Sequence, residues 1–192
     1  MGILVLGGVD EWDLFTAYSF LVRASTEDPR QFELHRIGHE DWVHSKHGDK
    51  IHTARRVEAC IEVDALVIPG SVDGSEGHLP PDLPGYLSQR ISGNRPTYAV
   101  CSGIHVLGWS GLLRGRTVSI HGSKSGSLAR FDAVYAGDGL HKDGPIISIG
   151  GAHSEPKGVV VAKTVLHDLN LKSGAGAARR LELEMPNAAI AR

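Results

Sequence analysis

The stretch "TYAVCSGIHVLGWSGLLRGRTVSIH", residues 97–121, sets a cysteine between an apolar run and a helical pattern. "PTYAV" has the length and content of a short buried strand. "SGIHVLGWSGLL" follows, with Ile104, Leu107 and Trp109 available for packing along a helix. Only the turn Cys101-Ser102-Gly103 separates the two, so a strand gives way directly to a helix. That step is the building unit of α/β folds. "TVSIH" then reads as the next strand, ending at His121.

The turn has chemical consequences. A helix start presents unpaired N–H groups and a partial positive charge. Both favour the anionic form of a thiol held there, which is the reactive form. A sharp strand-to-helix turn also projects its side chain into a cleft, as serine-based nucleophile elbows do, and Gly103 lets the turn pack closely. Cysteine is equally at home as a small buried hydrophobe. Both readings of Cys101 stand at this point.

Working outward, "GILVLGG" (2–8) is a short strand, and "DEWDLFTAYSFLVRA" (10–24) carries Leu14, Phe15, Tyr18, Leu21 and Val22 at helical spacing. "FELHRIG" (32–38) and "DALVIPG" (64–70) are further strands. The polar segment from His39 to Arg56 suggests a hairpin or an exposed loop pair. "SVDGSEGHLPP" (71–81) reads as a loop leading to a helix over "DLPGYLSQRI" (82–91). "PIISIGG" (145–151) is a strand; "GVVVAKTVLHDL" (158–169) and "AARRLELEM" (177–185) are helices, although "GVVVA" alone would pass as a strand. Strands alternating with helices at this spacing predict a mostly parallel sheet covered on both faces, one domain over residues 1–192.

Composition narrows the function classes. A formal net charge of −2 over 192 residues leaves no electrostatic footprint for nucleic acid. Two cysteines are no disulfide framework and fit a reducing compartment. The start lacks a basic n-region and no apolar run reaches a membrane span. A soluble, cytoplasmic protein is expected.

In open parallel sheets, sites gather beyond the C-terminal strand ends. Turns after Leu6, Ile68 and Val100 would bring Asp10 to Asp13, Gly70-Ser71 and Cys101-Ser102-Gly103 to one edge. Asp10 with Asp13 fits an acidic variant of a capping box. Asp13 also suits a general acid and base beside the thiol, since a shared proton resolves the conflict of two like charges. Glu11 competes for that role. His121 ends a strand that could face the cleft, and His105 fits a helix face one turn beyond Cys101. Cys60, in "RRVEACIEV", reads as structural. His35, His39, His44, His47 and His52 form a run, but without the convergent spacing of metal ligands, and read as a solvated loop. Neither "GGVDEWD" nor "SGAGAA" carries a dinucleotide fingerprint.

The order of "GGVDEWDLFTAYSFL", "DALVIPGS", "YAVCSGIHVLGWSGLLRGRTVSIH" and "ISIGG" with "GVVVAKTVL" resembles the ThiJ/PfpI superfamily. That superfamily shares a flavodoxin-like three-layer sandwich with the class I glutamine amidotransferases. The resemblance implies Cys101 as nucleophile at an elbow and Asp13 as its acid/base partner. It implies a substrate-binding or oxyanion role for Gly70, Ser71, Ser102 and His121. The Asp13-Leu14 pair looks like the isonitrile hydratase branch; the glyoxalase-like branches tend to use a glutamate. The implied protein is a cofactor-free, metal-free homodimer acting on a small electrophile. Its rivals are a glutathione-independent glyoxalase-like enzyme and a redox sensor that oxidises Cys101 reversibly. The chain departs from the family pattern at Ser71, where "PGG" is usual, at Phe15-Thr16-Ala17, and at Gly122. It departs again at "SEPKG" (154–158), which puts charge where small residues are usual.

Overall fold

In the computed structural model, which describes residues 1–27, 32–57, 63–150 and 155–171, the predicted strands other than the one over 117–121 join one sheet. Its strands are β1 (Gly2–Leu4), β2 (His35–Gly38), β5 (Arg55–Arg56), β6 (Leu66–Ile68), β7 (Thr97–Val100), β10 (Leu140–Asp143) and β11 (Ile146–Ile149). They lie in the order β10-β11-β7-β6-β1-β2-β5. Every neighbouring pair is parallel except β10 with β11. Within the polar segment predicted as a hairpin or an exposed loop pair, β3 (Trp42–His44) pairs antiparallel with β4 (Lys50–His52), while Arg55–Arg56 joins the main sheet.

Five helices accompany the strands among the described residues: α1 (Glu11–Glu27), α2 (Val72–Glu76), α3 (Leu83–Ser92), α4 (Ile104–Trp109) and α5 (Lys157–Asp168). The period-2 alternation of a strand decides which helices cover which face. Ile3, Val67, Tyr98, Val100 and Ile147 point one way, toward Leu14, Phe20 and Leu21 of α1 and Val161, Val165 and Leu166 of α5. Leu4, Leu66, Ile68, Ala99 and Ile146 point the other way, toward Leu83 and Leu87 of α3 and Ile104 and Leu107 of α4. The central strands β1, β6, β7 and β11 are buried on both sides, which is why they read as unbroken apolar runs. The result is the three-layer α/β sandwich that the sequence predicts.

The chain leaves β1 through α1 to one face and leaves β6 through α2 and α3 to the other. The crevice beyond the C-terminal ends of these two strands is therefore the topological switch point, where α/β sheets place their ligands.

The structure corrects several expectations. The strand predicted over 117–121 stops early: β8 (Thr117–Val118) pairs with β9 (Val134–Tyr135) in a separate two-stranded ladder. Residues 71–81 are not all loop, because Ser71 caps the short helix α2 by accepting from the Gly74 N–H at 3.1 Å. The helix after Cys101 opens as a 3-10 turn, Cys101–Gly103, before α4 takes over. α5 settles "GVVVA" as helix. Cys60, Gly151 and the helix predicted over 177–185 lie outside the described residues.

Candidate active site

Cys101 follows β7 directly and adopts φ = +54°, a left-handed conformation rare for a residue with a Cβ. Gly103, two residues on, holds the strained turn in place. A Cβ added at Gly103 would sit 2.2 Å from the carbonyl oxygen of Ile68 and 2.9 Å from that of Pro69. Only glycine lets the turn lie against the end of β6, and that contact aims the sulfur over the strand ends. Cys101 is partly exposed and lines a cavity of about 260 Å³ with Asp13, Ser71, Ser102, Lys46 and Lys124.

Asp13 reaches this cavity from the first turn of α1. Asp10 holds the helix start, its Oδ1 accepting from the N–H of Trp12 at 3.1 Å and of Asp13 at 3.2 Å. The capping role read for Asp10 is thus met, and Asp13 is left to face inward. It is 2% exposed. Burial pushes its carboxyl above the ordinary aspartate range, outweighing the Lys157 ammonium and the Gly70 N–H, which pull it down; the charge of Asp10 adds to the rise. A rise is the direction of shift that suits a general acid.

Glu11, the rival, turns elsewhere. Its carboxylate accepts from the His47 N–H at 2.8 Å and lies 2.7 Å from the His47 ring. Partial burial works to raise it, but hydrogen bonds from Ser45 and His47 prevail and hold it at about 2. This pins the β3–β4 hairpin over the end of β1, where the Gly8 N–H donates to His44 and the Lys46 N–H to Val9. Glu11 does not line the cavity around Cys101.

The remaining predicted residues divide. Ser71 and Ser102 line the cavity. Gly70 does not; its N–H serves the Asp13 carboxylate and its carbonyl accepts from the Asp10 N–H. His121 is displaced because its strand ends three residues earlier. It is exposed, caps the following 3-10 segment (Gly122–Phe131) and bonds Ser123 at 2.8 Å. Its place at the cavity is taken by Lys124 of that same segment. His105 is buried in α4 and meets Ser127 at 2.7 Å. Among the described residues no three His, Cys, Asp or Glu side chains converge as metal ligands, so the histidine run forms no such centre there.

The sequence reading missed Lys46 and Lys124, which line the cavity, and Lys157, which lies beside it. Lys157, at the start of α5, places its Nζ 3.6 Å from Asp13 Oδ1. The sign of it was the unusual charge in "SEPKG". A larger cavity of about 620 Å³ adjoins the first, sharing Gly8, and is lined by Trp42, His39, His44 and His78 among others.

The DJ-1/PfpI family profile matches residues 2–166. The chain belongs to the DJ-1/PfpI family. Family members range from stress-response proteins to regulators and enzymes that work through a cysteine. Solved structures agree on the fold. A two-domain protein from Anabaena variabilis with DJ-1/ThiJ/PfpI-like and ferritin-like domains is 23% identical, with a TM-score of 0.75 over 88% of this chain. This chain spans about half of that one (47%). A ThiJ/PfpI family protein from Pseudomonas syringae is 20% identical, TM-score 0.80, covering 98% of this chain and 76% of its own. An AraC family transcriptional regulator from Pseudomonas putida is 19% identical, TM-score 0.75, covering 94% and 97%. No curated protein matches the chain. Among the described residues no helix is long and apolar enough to cross a membrane.

Proposed function

We propose that this DJ-1/PfpI protein is a cysteine-dependent hydratase acting on a small electrophile, with an isonitrile as the substrate class. The observation that carries the reading is that Cys101 and the buried carboxyl of Asp13 line one small cavity at the switch point of the sheet. The Cys101 thiolate adds to the terminal carbon of the isonitrile, forming the C–S bond. Asp13 gives its proton to that carbon, leaving a thioimidate on the sulfur. Water then adds to the thioimidate carbon and the C–S bond breaks, returning the thiol and releasing an N-substituted formamide. One difficult hydration becomes two easier steps. The N–H of Ser102 is the backbone donor suited to the developing charge, while Gly70 serves by fixing Asp13.

Incubation with an alkyl isonitrile should yield the formamide and, on rapid quenching, an adduct mass on Cys101. Cys101→Ala should lose turnover by roughly a thousandfold or more, and Asp13→Asn by about a hundredfold or more, as for a removed general acid. Wild-type turnover in Cys101→Ala would refute the reading. The glyoxalase-like alternative, with Glu11 or Asp13 as base, is disfavoured only in its Glu11 form, by the hold of His47 and Ser45 on that carboxylate.

A further inference from the structure

The Gly122–Phe131 segment brings one lysine to the cavity around Cys101. Lys124 lines it together with Cys101, Asp13, Ser71 and Ser102. The backbone at Lys124 is tied on both sides. Its N–H donates to the His121 carbonyl at 2.7 Å, and its own carbonyl accepts from the Ser127 hydroxyl at 2.7 Å. Ser127 Oγ in turn meets Nε2 of the buried His105 at 2.7 Å. His105 stands on α4, the helix that continues the Cys101 turn. The lysine is therefore tethered to the element that follows the sulfur, and its place at the cavity is fixed by the fold.

Its charge is not spent within the protein. Of the acidic groups lining the cavity, Asp10 faces Lys46 at 3.5 Å, Asp13 faces Lys157 at 3.6 Å and Glu76 faces His78 at 3.5 Å. Glu76 is 59% exposed, so water screens its repulsion of an anion. The Lys124 ammonium has neither an ion pair nor a hydrogen bond among the described residues. A second side chain in the same cavity also lacks a partner. Ser102 is 8% exposed, and its hydroxyl makes no hydrogen bond among the described residues. A buried hydroxyl left unpaired costs stability, so a molecule that fills the cavity completes the site. At about 260 Å³ the cavity is smaller than those of drug-sized ligands. A charged group that reaches Lys124 from a carbon at the sulfur is therefore only a few bonds from that carbon.

We propose that Lys124 is the specificity residue of this site: its ammonium receives a carboxylate carried by the electrophile, so the substrates are small anionic electrophiles. The proposal deepens the hydratase reading, giving the isonitrile a carboxylate on its N-substituent, and it rests on Cys101 being the reactive group. Its test compares iodoacetate with iodoacetamide, from which the sulfur displaces iodide at the same carbon beside a carboxylate or a neutral amide. The ratio of the two alkylation rates at Cys101 is divided by the ratio for free 2-mercaptoethanol, which cancels the reactivity of the sulfur itself. In the wild type this quotient should favour iodoacetate about threefold to fivefold, the worth of one partly screened ion pair. Lys124 is exposed, so its substitution spares the fold. Lys124→Gln should lose the preference, Lys124→Glu should turn it against iodoacetate, and Lys124→Arg should keep it. Raised ionic strength should erase it in the wild type. A wild type without the preference, a quotient unchanged in Lys124→Gln, or a Cys101 that neither reagent alkylates would overturn the proposal. With isonitriles, an isocyano carboxylate should show a higher kcat/KM than its methyl ester, and Lys124→Gln should level the two. Absence of turnover for both isonitriles, with the alkylation preference intact, would remove the hydratase reading and leave the selection of anions by Lys124 standing.

Discussion

Cys101 holds its sulfur at the mouth of the crevice by accepting a conformation that its Cβ opposes. The left-handed region costs a side-chain-bearing residue about 1–2 kcal/mol, so the site is built against stability. Replacing Cys101 by glycine should relieve that strain where alanine does not. We expect Cys101→Gly to exceed Cys101→Ala by about 1 kcal/mol in urea denaturation, part of the gain being offset by the freer unfolded chain. Equal midpoints would show the turn to be unstrained. At this scale the cysteine was legible in the sequence because a strand, a turn and a helix met on it. The choice between Glu11 and Asp13 was not. It depends on the hairpin folding back so that His47 takes Glu11, a contact between residues 36 apart that no local pattern encodes. Lys157 left only a hint, an odd charge in a segment expected to be small.

The elements fix that geometry through close backbone approaches, Gly103 against β6 above all. A methyl group there meets two carbonyl oxygens, not a flexible side-chain end, so neither neighbour can swing aside. Gly103→Ala should cost about 1–3 kcal/mol, the range for overpacking a rigid site, and displace the sulfur as well. The check is a pair of measurements, the thermal midpoint and the rate of Cys101 alkylation, both of which should fall. An alkylation rate at the wild-type level would mean the turn is positioned by something else. The buried strands were legible because both faces are covered, leaving continuous apolar runs. The misread elements are those with little periodicity to show. β8 and β9 are two residues each, and α2 is a five-residue helix that depends on Ser71 as its cap. β10 is an edge strand of alternating exposure that presents no apolar run. The truncation of β8 is what moved His121 off the cavity.

Across the molecule, the layered α/β plan followed from the alternation of strands and helices, whereas its response to pH depends on burial that only the assembled fold reveals. His105, read from sequence as one residue on a helix face, is buried between α4 and the Gly122–Phe131 segment, with its ring 5.9 Å from that of Phe131. Burial, aided by the nearby charges of Lys124 and Arg130, lowers it to about 4. In the unfolded chain the same imidazole takes a proton near 6.5. Between those two values the unfolded state binds more protons, so the stability present at neutral pH is lost as the pH falls from about 6.5 toward 4. The whole effect is about 3 kcal/mol if the ring stays buried. Glu11, held at about 2, adds its own loss at lower pH. Asp13 acts with the opposite sign: its raised carboxyl favours the folded state in acid and weighs against it above the ordinary aspartate range. Denaturant titrations at pH 7 and pH 4.5 should therefore show a marked fall for the wild type, and a much shallower one for His105→Gln, which cannot ionise. The variant's stability at pH 7 serves as the baseline, because glutamine also alters the contact with Ser127. An unchanged pH slope in His105→Gln would place the acid sensitivity of the fold elsewhere than in this buried ring.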